Sequence, residues 1–199
     1  MAHIGRIFAD EAGLLHAMRP AHQILRVNPL RIPTICLTYF AANAPRLYLE
    51  TTISSYLVAR PSRDVRLAAD QLATHEWWDE RRHDYELFTS QTVLDEAMRG
   101  DPAFAAARRA QLAGVTLLSN LPEAAELAKR LLRDEIIPAV ATDDATHIAL
   151  ASAHGMEYPH TWNCRHINNH RIRSRIERAC EASGMLCPDI CTPAELMSA

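Results

Sequence analysis

The chain reads as a three-layer α/β/α domain with a mainly parallel central sheet, and three observations predict it. Strand-like apolar runs alternate with helical segments from residue 46 onward. The 199 residues at 48% apolar content suffice for one compact domain with a substantial core. Helix-start and helix-stop residues punctuate the runs. Parallel strands need crossover connections, so this alternation implies a parallel sheet with helices on both faces.

Residues 1–45 show no sustained period of 3.6 or 2 residues, and they are expected to form a poorly packed N-terminal leader or a stretch brought in by an early start site. The domain is expected over 46–199. Its first strand signal is Arg46-Leu47-Tyr48-Leu49-Glu50. A short helix over 51–59, a loop over 60–64 containing Pro61, and a long helix over 65–83 follow. The chain returns to strand over 85–89, after which Ser90 is placed to cap a helix closed by Gly100. Pro102 opens a helix running to Gly114, and 115–118 is a third strand. Helices over 122–134 and 142–154, a strand over 157–162, a basic helix over 168–183 and an edge strand over 186–191 complete the alternation. The segment Thr192-Pro193-Ala194-Glu195 has the cap, first-turn Pro and third-position Glu of a capping box.

Composition narrows the function. A net charge of -3 excludes coating nucleic acid by bulk electrostatics, so any polyanion must be held locally. Lys129 is the only lysine, and the positive charge is otherwise Arg. The five cysteines, Cys36, Cys164, Cys180, Cys187 and Cys191, show no disulfide-framework or paired-knuckle spacing, so reduced, unligated thiols in the cytoplasm are expected. No apolar run approaches the ~20 residues that span a bilayer. Residues 32–44 resemble a signal peptide, but Pro33 and Pro45 argue against it. No G-x-G-x-x-G or G-x-x-x-x-G-K-[ST] occurs, which removes the dinucleotide and P-loop uses of such a sheet.

In open parallel sheets, ligands bind outside the carboxyl ends of the strands, near a switch in strand order. Glu50 ends the first strand and Thr161-Trp162-Asn163 ends the fourth, so the two ends are candidates for one pocket. Locally, Glu50 reads equally as a first-turn or capping acid. Only one of Asp95 and Glu96 can point inward, and Asp143 and Asp144 pose the same choice. His147 shares a face with Asp144 and suits either a metal ligand or a core hydrogen bond. Asn163, together with Thr161, offers neutral oxygens suited to holding a metal-bound water, and Asn163 alone suits a helix cap equally. Glu50, Glu96 and Asp144 in one pocket would repel unless a cation compensated them, and oxygen ligands of that kind suit Mg²⁺ or Mn²⁺. The matching reaction is metal-assisted phosphodiester hydrolysis. Arg165, Arg171, Arg173, Arg175 and Arg178 lie just past this region. Arg171, Arg175 and Arg178 have the helical spacing to follow a nucleic-acid backbone, which is also that of an ordinary solvated face. Trp77 and Trp78 offer either a stacking platform or core packing.

At these residues the chain resembles the PIN-domain family, specifically the VapC-like toxins of type II toxin-antitoxin modules. Tyr48-Leu49-Glu50-Thr51-Thr52-Ile53-Ser54-Ser55-Tyr56-Leu57 is similar to the family's opening strand and Ser90 to Glu96 to its second acidic element. Asp144-Ala145-Thr146-His147-Ile148-Ala149 is similar to its third element, and Thr161-Trp162-Asn163-Cys164-Arg165-His166-Ile167-Asn168 to its fourth. The resemblance spans about 46–196. It implies a PIN-like fold and a Mg²⁺-dependent endoribonuclease, usually homodimeric and silenced by a cognate antitoxin that inserts into the site. It also implies that Glu50, Glu96 and Asp144 are metal ligands and that Asn163 fills the fourth polar position. Glu50 stands where Asp is usual and reaches one methylene further, and Asn163 replaces a frequent Asp, removing a charge. A catalytically weak RNA- or antitoxin-binding module is the alternative from another class, and a phosphohydrolase acting on small phosphate esters is a third.

Overall fold

The computed structural model describes residues 44–198, so residues 1–43 of the expected leader, Cys36 among them, lie outside the described residues. The Pro45 carbonyl already accepts a hydrogen bond from the Glu86 N–H at 3.0 Å, tying the start of the described chain to the sheet.

The strands are β1 (Arg46–Leu49), β2 (Glu86–Ser90), β3 (Thr116–Leu118) and β4 (Tyr158–His160). They form a parallel sheet in the order β3-β2-β1-β4, with Leu47 opposite both Leu87 and Tyr158. The helices are α1 (Thr51–Val58), α2 (Val65–Glu80), α3 (Gln91–Ala97), α4 (Pro102–Gln111), α5 (Pro122–Arg133), α6 (Thr142–Ala153), α7 (Arg173–Glu181) and α8 (Pro193–Met197). From β1 to β3 the chain steps across the sheet in one direction, and from β3 to β4 it reverses. Right-handed crossovers therefore send α1–α4 and α5–α6 to opposite faces. The packing agrees: α1 touches α2, α3 and α4, while α5 packs on α6 and α7. The three-layer parallel architecture expected from the sequence is the one observed.

Local chemistry explains the helix boundaries. The Ser90 hydroxyl accepts from the Val93 N–H, Asp64 caps α2 through the Arg66 and Leu67 N–H groups, and Asp101 caps α4 with Pro102 in its first turn. Gly100 and Gly114 adopt φ of 88° and 81° after α3 and α4, a left-handed conformation that costs a glycine little. The Thr192–Glu195 capping box is present in full. The core falls into two clusters, one built on Leu47, Tyr48, Leu49, Ile53 and Trp77, the other on Leu127, Leu131, Ile137, Ile148 and Ile176. Leu127 and Leu131 sit one turn apart and fully buried, while Glu126, Lys129 and Arg130 occupy the polar side of α5.

Three expectations change. The long helix stops at Glu80, and Arg82–Asp84 form a 3-10 turn. The basic helix begins at Arg173 because the Asn169 side chain accepts from the Arg171 N–H and donates to the Arg165 carbonyl, an alternative to helical bonding. Arg171 therefore precedes the helix and breaks the expected cationic stripe. Within it, Arg175 caps the Asp134 and Glu135 carbonyls at the end of α5, and Arg173 pairs with Asp189 and Glu177. The 186–191 segment follows β4 through the Asp189 N–H to Glu157 and Cys191 N–H to Pro159 bonds, yet it forms a single bridge rather than a strand. Pro159 and Pro188 each lack the N–H that a regular ladder would use.

Candidate metal centre

The site lies where the order of strands switches, at the carboxyl ends of the neighbouring strands β1 and β4. Glu50 leaves β1 in extended conformation (φ -86°, ψ 162°), its N–H donates to the His160 carbonyl of β4, and it becomes the N-cap of α1. Its Oε2 accepts from the Thr52 N–H (3.1 Å), the Thr52 hydroxyl (2.5 Å) and the Thr161 hydroxyl (2.7 Å). The capping position and the candidate site position thus fall on the same carboxylate. Oε2 holds the side chain in place, and none of these bonds uses Oε1. At 4% exposure this is a carboxylate largely removed from water.

α3 presents Glu96 inward and Asp95 outward, where Asp95 accepts from Gln91. The contact of α3 with α6 brings Glu96 to His147: Glu96 Oε2 meets His147 Nε2 at 2.9 Å and also accepts from the Thr51 hydroxyl. His147, 2% exposed, turns its Nδ1 to the Tyr48 hydroxyl at 2.8 Å, and Tyr48 lies 2.7 Å from the Ser90 hydroxyl. Ser90, Tyr48, His147, Glu96 and Thr51 therefore form one continuous chain of hydrogen bonds, buried from Ser90 to His147 and half-buried at Glu96 and Thr51.

Charge explains its electrostatics. Burial acts to raise the Glu96 carboxyl, but hydrogen bonds from His147 and Thr51 and the charges of His147 and Arg99 outweigh it and hold the group below its ordinary value. Burial likewise acts to lower His147, yet its bond to Glu96 and the carboxylates of Glu50, Glu96 and Asp144 raise it. Burial also pushes the Tyr48 phenol up, so it stays a neutral hydroxyl. When protonated, His147 donates from Nε2 to Glu96 and from Nδ1 to Tyr48, which compensates the acids.

One ligand atom each from Glu50, Glu96 and His147 lies within 4.8 Å of the others. Two carboxylate oxygens and one imidazole nitrogen, in a pocket where the acids otherwise repel, make a donor set that fits a divalent cation. The Nδ1–H to Tyr48 bond would orient His147 as a ligand in the usual manner.

Asp144 is held differently. Its Oδ1 accepts from Asn163 Nδ2 at 2.9 Å and its Oδ2 meets His166 Nδ1 at 2.7 Å, while its neighbour Asp143 pairs with Arg99 at 3.0 Å. Asn163 Oδ1 accepts from the His166 N–H, so Asn163 caps the following turn and also binds the acid. The structure thus joins Glu50, Glu96 and His147 in one group and Asp144, Asn163 and His166 in another. α6 supplies one member of each, His147 and Asp144. Thr161, expected to offer a neutral oxygen beside Asn163, donates its hydroxyl to Glu50, while the sequence points neither to Tyr48 nor, as a partner of Asp144, to His166. A signal for His166 lay in its spacing of three from Asn163, the reach of a cap.

Elsewhere, Trp77 is fully buried against His160, with ring centroids 4.1 Å apart, and Trp78 lies half-buried under Arg82, so the tryptophan pair serves the core. Cys164, Cys180, Cys187 and Cys191 are free thiols. Among the described residues no helix is long and apolar enough to cross a membrane.

Neither a family model nor a curated protein matches the chain. Among solved structures it is similar to the Mycobacterium tuberculosis VapC20, described as a Sarcin-Ricin loop cleaving toxin. The identity is 17% and the TM-score 0.46, over 62% of this chain and 95% of that one.

Proposed function

We propose that this chain is a PIN-like, Mg²⁺- or Mn²⁺-dependent endoribonuclease and the toxin of a type II toxin-antitoxin module. The observation that carries the reading is the convergence of Glu50, Glu96 and His147 donor atoms within 4.8 Å at the strand ends. The four motif segments that resemble the family support it, since three of them supply the acids and the fourth supplies Asn163.

In this reading Glu50 and Glu96 hold the cation, Asp144 is the third carboxylate ligand, and Asn163 orients Asp144. When bound, the cation supplies Lewis-acid activation of water and neutralises charge at the phosphate. Thr52 and Thr161 fix the Glu50 carboxylate, and Thr51 fixes Glu96. His147 either joins the ligands or keeps Glu96 in place, with Tyr48 and Ser90 setting its ring. RNA is the substrate, a cognate antitoxin covers the site, and the assembly is a homodimer in the cytoplasm.

A second reading, a catalytically weak RNA- or antitoxin-binding module, is favoured by one observation. Asp144 spends both oxygens on Asn163 and His166 rather than joining the Glu50–Glu96 group.

Structured RNA incubated with the purified protein, with Mn²⁺ or Mg²⁺ and with EDTA, separates the two, using Asp144→Asn as control. Cleavage that needs both the metal and Asp144 is the expected result. Cleavage surviving EDTA and the substitution would overturn the mechanism, and RNA binding without cleavage would select the second reading.

A further inference from the structure

Beside the acidic group stands an aromatic pair that the proposed chemistry does not use. Tyr56 and Trp162 stack with ring centroids 5.9 Å apart and planes 16° from parallel, and both are only half-buried. Trp162 is locked in place. Its backbone N–H donates to the Thr52 hydroxyl at 2.9 Å, the same hydroxyl that holds Glu50, and its indole N–H donates to the Thr74 hydroxyl at 2.8 Å. Tyr56 follows Thr52 by one turn of α1 and so shares its side of the helix. Burial, then the charges of Asp70, Cys164 and Glu50, raise its phenol. Among the described residues no side chain hydrogen-bonds the Tyr56 hydroxyl.

A ring pair of this kind is pre-organised: two hydrogen bonds hold Trp162, and Tyr56 lies beside it in an offset, near-parallel stack. Nucleobases stack on such surfaces with little regard to sequence. A base inside an A-form duplex is already stacked on its neighbours, whereas an unpaired base is available.

We propose that Tyr56 and Trp162 form a shelf that stacks one unpaired RNA base next to the acidic pocket, selecting loops or single strands over duplex; this rests on RNA being the substrate. Tyr56 and Trp162 are positioning residues here, setting where the backbone crosses the acids.

The test is binding of the full chain to a fluorescein-labelled, unstructured oligoribonucleotide in EDTA, read by anisotropy. A duplex of the same sequence and a series carrying one abasic nucleotide walked along the strand serve as comparisons. The unstructured strand should bind more tightly than the duplex. Tyr56→Leu should weaken binding roughly tenfold and Tyr56→Phe should not. One abasic position should weaken the wild type by a similar factor while leaving Tyr56→Leu unaffected. Unchanged affinity in Tyr56→Leu, equal abasic losses in both proteins, or no binding of unpaired RNA would each overturn the shelf. Cleavage is scored separately with Mn²⁺. Stacking without cleavage keeps the shelf and removes the nuclease, and cleavage indifferent to Tyr56 does the reverse.

Discussion

Glu50→Gln removes one charge from the centre while keeping shape and acceptor. At 4.8 Å and an effective dielectric of ~20, each pair of unit charges interacts by roughly 3.5 kcal/mol. Glu50 feels repulsion from Glu96 and, when His147 is protonated, attraction of similar size, so the two nearly cancel. What remains in the metal-free protein is the weakening of three charge-assisted bonds from Thr52 and Thr161, about 1 kcal/mol each, offset in part by relief of a buried carboxylate. A net loss of about 1–3 kcal/mol is expected. A divalent cation changes the comparison, because two anionic ligands become one. Wild-type protein at about 100 times the Kd in Mn²⁺ should gain ~2.7 kcal/mol, or about 5–10 °C in Tm for a domain of this size. The variant should gain almost nothing. Scanning calorimetry with and without Mn²⁺ reads this directly. An equal rise in the variant, or none in the wild type, would refute the reasoning.

Three further outcomes follow from the geometry. Tyr48→Phe leaves the buried His147 Nδ1 without its partner and should cost about 1–3 kcal/mol by denaturant unfolding. Burial lowers His160 from its ordinary value of 6.5 to about 3, so the unfolded chain binds a proton there that the native state does not. Stability contributed by that site is present above pH 6.5 and falls as pH drops toward about 3, by up to ~1.4 kcal/mol per pH unit. His160→Phe keeps a ring against Trp77, removes the buried unpartnered Nε2 and should flatten that part of the unfolding-versus-pH curve. Arg175→Ala uncaps the Asp134 and Glu135 carbonyls and should lower stability by roughly 0.5–1.5 kcal/mol while leaving RNA cleavage unchanged, as unfolding and rate assays will show.

Much of the architecture was legible because local chemistry and global topology agree. Ser90, Pro102 and the Thr192–Glu195 box announce helix starts that the structure keeps. The ends were less legible: the helix expected from 168 yields to an Asn169 side-chain turn, a local competition that apolar periodicity does not report. In the site, the inward choice of Glu96 over Asp95 follows from one helical face meeting α6, but the identity of its partner does not. His147 was readable only as a residue with two possible roles, since the Tyr48–His147–Glu96 chain joins elements 99 and 51 residues apart. The division of Asp144 from the Glu50–Glu96 group depends on the loop after β4, whose course is set by the Thr161, Asn163 and His166 hydrogen bonds and not by any period in the sequence.

The most direct test is a crystal of the full chain soaked in Mn²⁺, with anomalous scattering collected near the manganese edge. A peak at coordination distance from carboxylate oxygens of both Glu50 and Glu96 is the predicted result, with the position of Asp144 in the same map deciding its role as third carboxylate. No peak between the two glutamates at saturating Mn²⁺, or a peak only at unrelated surface acids, would contradict the proposal that this pocket is a metal centre.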